Sequence, residues 1–560
     1  MITKTQTYII GWLTGILLAL AFPPFPFHFI AFFAFIPLLF SLEVRKGEKS
    51  FWLIYITFFI YHTMTNWWIG SWQTNADPFL MASGIILSFF HPLFFLVPVY
   101  SYLFIRKKYG LSFALWLFPF IWTAFEWLHS LGELNYPWLT IGYTQAYNIV
   151  WLQFADISGI WGVSFIIILI NSLLARLFIN ENSLQFSLLN CQKVKGIKFI
   201  FLSVVLLILF PYIYGIFRIN EFEHSKIIKK NKNVKIGIVQ PNINPWAKWE
   251  RNVPEQIRLH LKLQDSLLKY QPDIDFFLWS ETAIPYQDLN MNSSHDFGEL
   301  KYWVDYRDIA VLTGLADIKL YRKGDRIPKT VKQLEGTDSF YYESFNAAVI
   351  INPDLPDSLY QIYHKMRLTP FSERFPYGKY LSFATEWFKW GVGISSWNTG
   401  EKQFPLLLNR KQKSEENKSN LKSNVKIGAV ICIESIYPDF TREYVNQGAG
   451  ILVVITNDAW FNHTFGPEQH FIMSQVRAIE TRRYIARCAN SGISGFISPS
   501  GEIIKLMEQY KVIADAESVP ILKDKSIYVL LGDWLVYLCT MISLIFIIYG
   551  FSKKNQSFLK

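Results

Sequence analysis

Eight long hydrophobic stretches run through this sequence, and seven of them precede a more polar segment, residues 232–520. A helix needs about 20 apolar residues to cross a hydrocarbon core of about 30 Å, which most of these stretches approach. The sequence therefore predicts an α-helical membrane bundle over 1–225, a globular domain over 232–520, an eighth span over 526–550 and a tail over 551–560. The eight predicted spans are 8–22, 27–42, 51–70, 79–104, 111–129, 158–179, 197–217 and 526–550.

The loops between the spans differ sharply in basic content. Loops 23–26, 71–78 and 130–157 contain no Lys or Arg, whereas the alternate loops and the tail are basic. Basic loops stay on the cytoplasmic side, and seven spans precede the domain, so we expect both termini inside and the domain outside. The basic residues are Arg45, Lys46, Lys49, Arg106, Lys107, Lys108, Arg176, Lys193, Lys195, Lys553, Lys554 and Lys560.

The formal net charge of +10 has its explanation in these loops. A nucleic-acid-binding chain would carry a basic patch together with a recognisable reading motif, and this sequence shows no such motif. We therefore predict no nucleic-acid partner. Basic residues on the outer domain are instead suited to anionic phospholipid head groups.

Of the four cysteines, only Cys432 and Cys488 fall in the outer domain, since Cys191 lies in an inside loop and Cys539 in the last span. A disulfide between Cys432 and Cys488 is one reading, because exported compartments are oxidising. The other is a reactive thiol, and the sequence around Cys432 favours it.

Short β-rich runs alternate with helical stretches in 232–520, which predicts a layered α/β domain. Two polar stretches, 320–341 and 408–424, read as surface insertions, the second of them disordered. His463 and His470 lie seven residues apart with no carboxylate placed to complete a site, so we read both as ordinary polar residues and predict no metal or cofactor. The predicted strands are 234–240, 275–280, 310–315, 346–351, 426–432, 451–456 and 493–498, and the predicted helices are 253–270, 437–447 and 468–487.

Three short segments carry candidate chemistry. The apolar run before Glu281 ends on that carboxylate, in the sequence Trp-Ser-Glu-Thr-Ala-Ile-Pro over 279–285. Lys365 lies in a polar and aromatic loop, with Glu373 eight residues further on. Cys432 ends an apolar strand shortly before a predicted helix, an arrangement that exposes a nucleophile to positive backbone dipoles. Taken singly, each of these residues also fits an ordinary solvated or packing role.

Together, in this order and with these flanking residues, the segments resemble the Glu-Lys-Cys triad of the nitrilase superfamily. The whole chain, spans included, resembles its membrane-embedded branch, the apolipoprotein N-acyltransferase family, also through the Thr-Asn-Asp-Ala-Trp-Phe run at 456–461. The resemblance implies a four-layer α-β-β-α sandwich, with Glu281, Lys365 and Cys432 as the triad. It further implies that Glu373 and Glu434 support the triad, and that Trp460 and Phe461 lie on a mobile loop over the site, although core packing is an alternative for Trp460. The family has an aromatic residue after the nucleophile, where this chain has Ile433.

The residue types also explain the chemistry on their own. A thiol with a pKa near 8.5 is mostly protonated at neutral pH, so it needs a base such as Glu281. Lys365 and the backbone N–H of Ile433 can stabilise the oxyanion that forms when the thiol attacks an ester. The product is a thioester on Cys432, which an amine can convert to a stable amide.

The predicted position of the thiol relative to the membrane indicates its substrates. A thiol placed over the outer leaflet has phospholipid as its nearest ester, and the resemblance implies acyl transfer to the α-amino group of a diacylated apolipoprotein in a bacterial inner (plasma) membrane, by a monomeric enzyme. A membrane-tethered amidase would keep the triad but use water and need only one span. A transporter or scaffold would be expected to carry more charged residues within the spans, where Glu126 is the clearest one.

Overall fold

The computed structural model describes residues 3–73, 78–179, 196–224, 232–246, 248–249, 253–287, 295–328, 331–334, 337, 339–355, 360–374, 376–377, 380, 397–410 and 423–554.

The membrane part is a bundle of apolar helices. Among the described residues, five helical stretches are long and apolar enough to cross a membrane: Leu80–Tyr109, Leu111–His129, Ala155–Phe178, Ile197–Phe222 and Trp534–Ser552. The first three predicted spans form shorter or less apolar helices. The helices are α1 Lys4–Ala21, α2 Ile36–Val44, α3 Phe51–Asn66, α4 Pro78–Phe90, α5 Leu96–Tyr109, α6 Leu111–His129, α7 Ile149–Leu152, α8 Ala155–Phe178, α9 Ile197–His224, and after the domain α14 Ile527–Leu531 and α15 Trp534–Ser552.

The two ends of this bundle have different chemistry. At one end, Arg106 forms a buried ion pair with Glu43, and Lys108 Nζ donates to the carbonyl of Lys553 over 2.7 Å. At the other end, the indole N–H groups of Trp68 and Trp138 reach the globular domain. The basic residues at the ends of the second, fourth and eighth predicted spans thus lie away from the domain.

The globular domain contains two sheets. The eight-stranded sheet has the order β14-β1-β2-β4-β6-β5, with β3 beside β4 and β7 beside β6; the six-stranded sheet has the order β13-β12-β11-β10-β9-β8. The strands are β1 Asn233–Gln240, β2 Phe276–Leu278, β3 Ile284–Gln287, β4 Ala310–Arg322, β5 Lys332–Gln333, β6 Phe340–Ile351, β7 Gln361–His364, β8 Leu406–Arg410, β9 Ser423–Ile431, β10 Ile451–Thr456, β11 Ile485–Ala489, β12 Ser494–Ile497, β13 Ile503–Met507 and β14 Ile513–Pro520.

Side chains alternate between two cores along the eight-stranded sheet, as the two-residue period of a strand requires. Phe276 and Leu278 pack in the core that includes the six-stranded sheet. Phe277 faces the other way, against helices α10 Val253–Leu268 and α11 His295–Arg307. Helices α12 Pro438–Asn446 and α13 Phe465–Thr481 cover the six-stranded sheet, and α13 also contacts α3 and α8. The layers are therefore helix, sheet, sheet and helix, with the last layer against the membrane part.

Two features of the predicted domain differ from the structure. The helix predicted over 468–487 ends at Thr481, because Arg482 adopts a left-handed conformation with φ +51°, and 485–489 form β11. The stretch 320–341 belongs in part to a hairpin, since Arg322 of β4 pairs with Phe340 of β6. Residues 411–422, most of the second predicted insertion, lie outside the described residues.

Candidate active site

Glu281 lies just beyond β2, in a tight turn of the chain. The turn places Thr282 at φ +47°, a conformation that β-branched residues rarely adopt. A buried lysine, Lys248, holds this turn by donating from Nζ to the carbonyl of Glu281 over 3.0 Å and to Oγ1 of Thr282 over 2.9 Å. Glu281 is 6% exposed, and its carboxylate faces Lys365 and Asn346.

Lys365 follows β7 and is buried between two carboxylates. Its Nζ lies 3.1 Å from Oε1 of Glu281 and 2.8 Å from Oε1 of Glu373. Burial alone would lower the pKa of Lys365, but the two facing carboxylates outweigh it and raise that pKa well above its ordinary value. Lys365 is therefore a fixed cation at neutral pH.

Asn346 on β6 joins the same cluster, although no sequence motif pointed to it. Its Nδ2 donates to Oε1 of Glu281 over 2.7 Å and to Oε1 of Glu373 over 3.0 Å. No local pattern marks it, since β6 also carries the polar residues Glu343 and Ser344. The contact fixes both carboxylates toward Lys365.

Glu373 is held at both of its oxygens. While Oε1 faces Lys365 and Asn346, Oε2 accepts from the backbone N–H and the hydroxyl of Thr369, over 2.8 and 2.9 Å. Burial would raise the pKa of Glu373, but the Lys365 ammonium reverses this and lowers it. Glu373 is thus ion-paired with the Lys365 ammonium and fixed in place from both sides.

Cys432 stands at the end of β9 with φ +49°, so the chain turns sharply at the candidate nucleophile. Cys432 and Cys488 are both free thiols. Burial and then the Glu281 carboxylate raise the pKa of the Cys432 thiol, while Lys365 opposes them. The resting thiol is therefore protonated and depends on a base.

Glu434 ties the loop that carries Lys365 to the turn that carries Cys432. Its Oε1 accepts from the Tyr363 hydroxyl over 2.5 Å and from the backbone N–H of Met366 over 2.7 Å, and its Oε2 accepts from that of Ile431 over 2.9 Å. Burial outweighs these donors and raises the pKa of Glu434 to about 7. Glu434 is fully buried, and its contact with the turn at Cys432 is made through the backbone.

One cavity brings the predicted site residues together. Glu281, Lys365, Glu373, Cys432, Ile433, Trp460 and Phe461 all line it, whereas Glu434 does not. The cavity continues between apolar side chains of the membrane part, among them Leu87, Phe94 and Trp138. It therefore connects the candidate nucleophile with the bundle.

Trp460 and Phe461 belong to a short helical turn, Asp458–Phe461, and line this cavity. The Trp460 ring packs edge-on against Trp246 at 4.8 Å, and the Phe461 ring packs edge-on against Trp68 at 4.7 Å. Ser71 Oγ donates to the carbonyl of Trp460. The loop expected to lie over the site is thus bound to the end of the third predicted span.

No group of three or more His, Cys, Asp or Glu residues within the described ranges could hold a metal ion. The cluster of two carboxylates, one cation and one thiol supports acid–base and nucleophilic chemistry.

Two family models match separate stretches of this chain. The family model described as apolipoprotein N-acyltransferase N-terminal domain matches residues 14–173, and the carbon-nitrogen hydrolase model matches residues 235–517. A curated relative named apolipoprotein N-acyltransferase, from Chlorobaculum tepidum, is 29% identical over 89% of this chain and 87% of its own length. Apolipoprotein N-acyltransferase 1 of Treponema denticola is 29% identical over 99% and 98%.

Among solved structures, Nit3 of Saccharomyces cerevisiae, a member of branch 10 of the nitrilase superfamily, covers 53% of this chain and 92% of its own, with 16% identity and a TM-score of 0.36. The carbon-nitrogen hydrolase model alone matches more than half of the 560 residues, and the membrane part matches the second model. The chain therefore belongs to the carbon-nitrogen hydrolase family, within its apolipoprotein N-acyltransferases.

Proposed function

We propose that this acyltransferase moves a fatty acyl chain from a membrane phospholipid to the α-amino group of the N-terminal S-diacylglyceryl cysteine of apolipoproteins, through a thioester on Cys432. The observation that carries the proposal is the shared cavity. It holds the Glu281, Lys365 and Cys432 side chains at one end and apolar side chains of the membrane part at the other. A lipid acyl chain fits the apolar end while its ester meets the thiol.

In the first half-reaction, Glu281 takes the proton of the Cys432 thiol, and the sulfur attacks the ester carbonyl carbon. The Lys365 ammonium and the backbone N–H of Ile433 stabilise the oxyanion that forms. Collapse breaks the carbon–oxygen bond, and protonated Glu281 gives its proton to the departing alcohol. Lysophospholipid leaves, and the acyl group stays on sulfur.

In the second half-reaction, the amine of the diacylated cysteine attacks the thioester carbonyl. Glu281 takes a proton from the amine, the carbon–nitrogen bond forms and the carbon–sulfur bond breaks. Protonated Glu281 then returns its proton to the Cys432 thiolate, which restores the starting state. Because lysophospholipid leaves before the amine reacts, and the acyl group remains on Cys432 in between, the kinetics should be ping-pong.

Three further residues are assigned supporting roles. Glu373 keeps Lys365 in place through a 2.8 Å contact, and Glu434 fixes the turn at Cys432 through Ile431 N–H. Ile433 lines the cavity without the aromatic ring of the family pattern. Trp460 and Phe461 are proposed to guide substrate into the cavity that they line. We propose that the reaction uses neither a metal nor any other cofactor.

We further propose eight spans, with the domain 232–520 in the periplasm of a bacterial inner membrane and both termini in the cytoplasm. Supporting this, the chain touches the domain through Pro23, Trp68 and Trp138, which lie at or beside the ends of the first, third and fifth spans where the loops lack Lys and Arg. Among the described residues, the basic Arg106, Lys108 and Lys553 contact one another's segments at the opposite end of the bundle. The boundaries 1–225, 232–520, 526–550 and 551–560 follow, and we propose a monomer.

The test is transfer from a fluorescent phospholipid to a diacylated lipopeptide with a free amino terminus. Glu281→Gln, Lys365→Ala and Cys432→Ala should each lose nearly all transfer, because residues that act as a unit are strongly non-additive. The matched control Tyr270→Ala changes a side chain that is 85% exposed and should behave as the parent. If the parent chain instead released free fatty acid to water and produced no labelled peptide, it would be a hydrolase, as the amidase alternative expects.

A further inference from the structure

A row of buried polar side chains lies beneath Cys432 and has no part in the mechanism above. Asp458 Oδ2 accepts from Nη2 of Arg487 over 2.8 Å, and Asp458 Oδ1 lies 2.8 Å from Nδ1 of His470. Nε2 of His470 lies 3.1 Å from the carbonyl oxygen of Cys432 and 2.9 Å from Oγ of Ser435. The four side chains of this row are all buried: Arg487, Asp458, His470 and Ser435.

The donors and acceptors fix the direction of this row. Burial would raise the pKa of Asp458, but Arg487 and His470 lower it to about 2, so a carboxylate faces Nδ1 and that nitrogen carries a proton. A carbonyl oxygen only accepts, so Nε2 is the only atom of the 3.1 Å pair that could donate. Through this contact, and through the Ser435 hydroxyl that donates to the same carbonyl over 2.8 Å, the row reaches the backbone of the nucleophile.

The residue before His470 is bound to the membrane part on every side. Gln469 Oε1 accepts from the indole N–H groups of Trp68 and Trp138, over 3.1 and 2.8 Å. Its Nε2 donates to the carbonyls of Pro23 and Thr65, over 2.7 and 3.1 Å. These four contacts reach three separate segments of the bundle, and they use the full hydrogen-bonding capacity of the amide.

We propose that His470 is a positioning residue for the nucleophile. It holds the Cys432 carbonyl, and with it the left-handed conformation of Cys432, while Asp458 orients the ring and Gln469 anchors the helix to the bundle. The thiol and the apolar end of the cavity thereby keep one fixed relative position. This inference rests on the proposed role of Cys432 as nucleophile.

The same atoms have the composition of a serine hydrolase triad, Ser435, His470 and Asp458. The surroundings of Ser435 oppose that reading: its side chain is fully buried, it does not line the cavity, and its Oγ donates to the Cys432 carbonyl over 2.8 Å. A fluorophosphonate probe should therefore leave Ser435 unlabelled. Labelling there would overturn the positioning role.

The experiment measures the rate of thioester formation on the full chain, with phospholipid and without an acceptor, by intact mass. His470→Phe keeps a planar ring but no donor, and we expect the rate to fall about 10- to 100-fold, since misplacement of a reacting group by about 1 Å has such effects. The apparent KM for phospholipid should stay within about threefold of the parent, because apolar contacts dominate binding.

His470→Gln supplies an amide donor near the position of Nε2 and should recover most of the rate, which also covers the case that the Phe variant does not fold. The matched control is His463→Phe, an exposed histidine against Tyr510, which should react as the parent. Parental rates in His470→Phe, or equal losses in the Phe and Gln variants, would overturn the proposal. Absence of the adduct in the parent chain would instead overturn the nucleophilic role of Cys432.

Discussion

Gly314 on β4 packs directly under the turn that carries Glu281. A Cβ atom at this position would lie 2.6 Å from the carbonyl oxygen of Ser280, 2.6 Å from the backbone nitrogen of Thr282 and 2.7 Å from the Cα of Glu281. All three contacts are with backbone, which cannot rotate away as a side chain can. The change Gly314→Ala must therefore move the turn itself.

The size of the movement follows from these distances. Ordinary van der Waals contact begins at 3.4 Å, so the turn must shift by about 0.8 Å. Glu281 Oε1 is held 3.1 Å from Lys365 and 2.7 Å from Asn346, and such a shift strains both contacts. Misplacement of about 1 Å costs up to about 100-fold in rate, and overpacking costs about 1–3 kcal/mol of stability.

The assay is the phospholipid-to-lipopeptide transfer rate, measured together with the thermal midpoint in detergent. We expect Gly314→Ala to lower the rate by about 10- to 100-fold. The matched control is Gly298→Ala on α11, where an added Cβ meets no atom within 4 Å. Alanine is favoured over glycine by about 1 kcal/mol within helices, so this variant should keep its activity and gain slightly in stability. Parental transfer by Gly314→Ala would refute the placement of Glu281 over this glycine.

Three further predictions concern the site and the topology. Glu373→Gln should lower transfer about 10- to 100-fold. Each oxygen of Glu373 accepts from two donors, so the amide nitrogen of glutamine must face one of these pairs of donors, and about 1.5–3 kcal/mol of charge-assisted hydrogen bonding is lost. Transfer at the parental rate would exclude a role of Glu373 in supporting Lys365. Iodoacetamide should alkylate resting Cys432 more slowly than a free cysteine, and the alkylation rate should keep rising with pH beyond about 8.5 without a plateau. The reason is that burial and Glu281 raise the pKa of the thiol and so reduce the thiolate fraction at each pH. A plateau of the rate at or below that pH would contradict this. In a chain without native cysteines, a membrane-impermeant maleimide should label Tyr270→Cys in intact spheroplasts but not Glu48→Cys, and the opposite pattern would invert the topology.

Parts of this fold follow from the sequence because they depend on local chain chemistry. The strands near 234–240, 451–456 and 493–498 were predicted from apolar runs and appear within one residue at each end. The helix predicted over 468–487 was wrong beyond Thr481, where no glycine or proline marks its end. Arg482 leaves the helix while its guanidinium binds Asp156 and Gln153 of the membrane part, and such a distant contact has no local signal.

The candidate site shows the same division. Glu281, Lys365 and Cys432 could be named from their flanking motifs, and the cavity brings all three together. Asn346 could not be named from the sequence, because its contacts depend on the pairing of β6 with β4 and β7. This pairing places its amide against two carboxylates from other segments. His470 was read as an ordinary polar residue, since its partner Asp458 is twelve positions away and becomes adjacent only when the loop at 457–464 folds back.

The measurement that tests the account most directly is the intact mass of the protein after exposure to phospholipid alone. If Cys432 accepts an acyl chain and waits for an amine, the chain should gain the mass of one fatty acyl group, and hydroxylamine should remove it. A diacylated lipopeptide with a free amino terminus should clear the adduct, and one with a blocked amino terminus should not. An adduct that never forms on Cys432, or that the blocked peptide clears equally well, would contradict acyl transfer through a thioester.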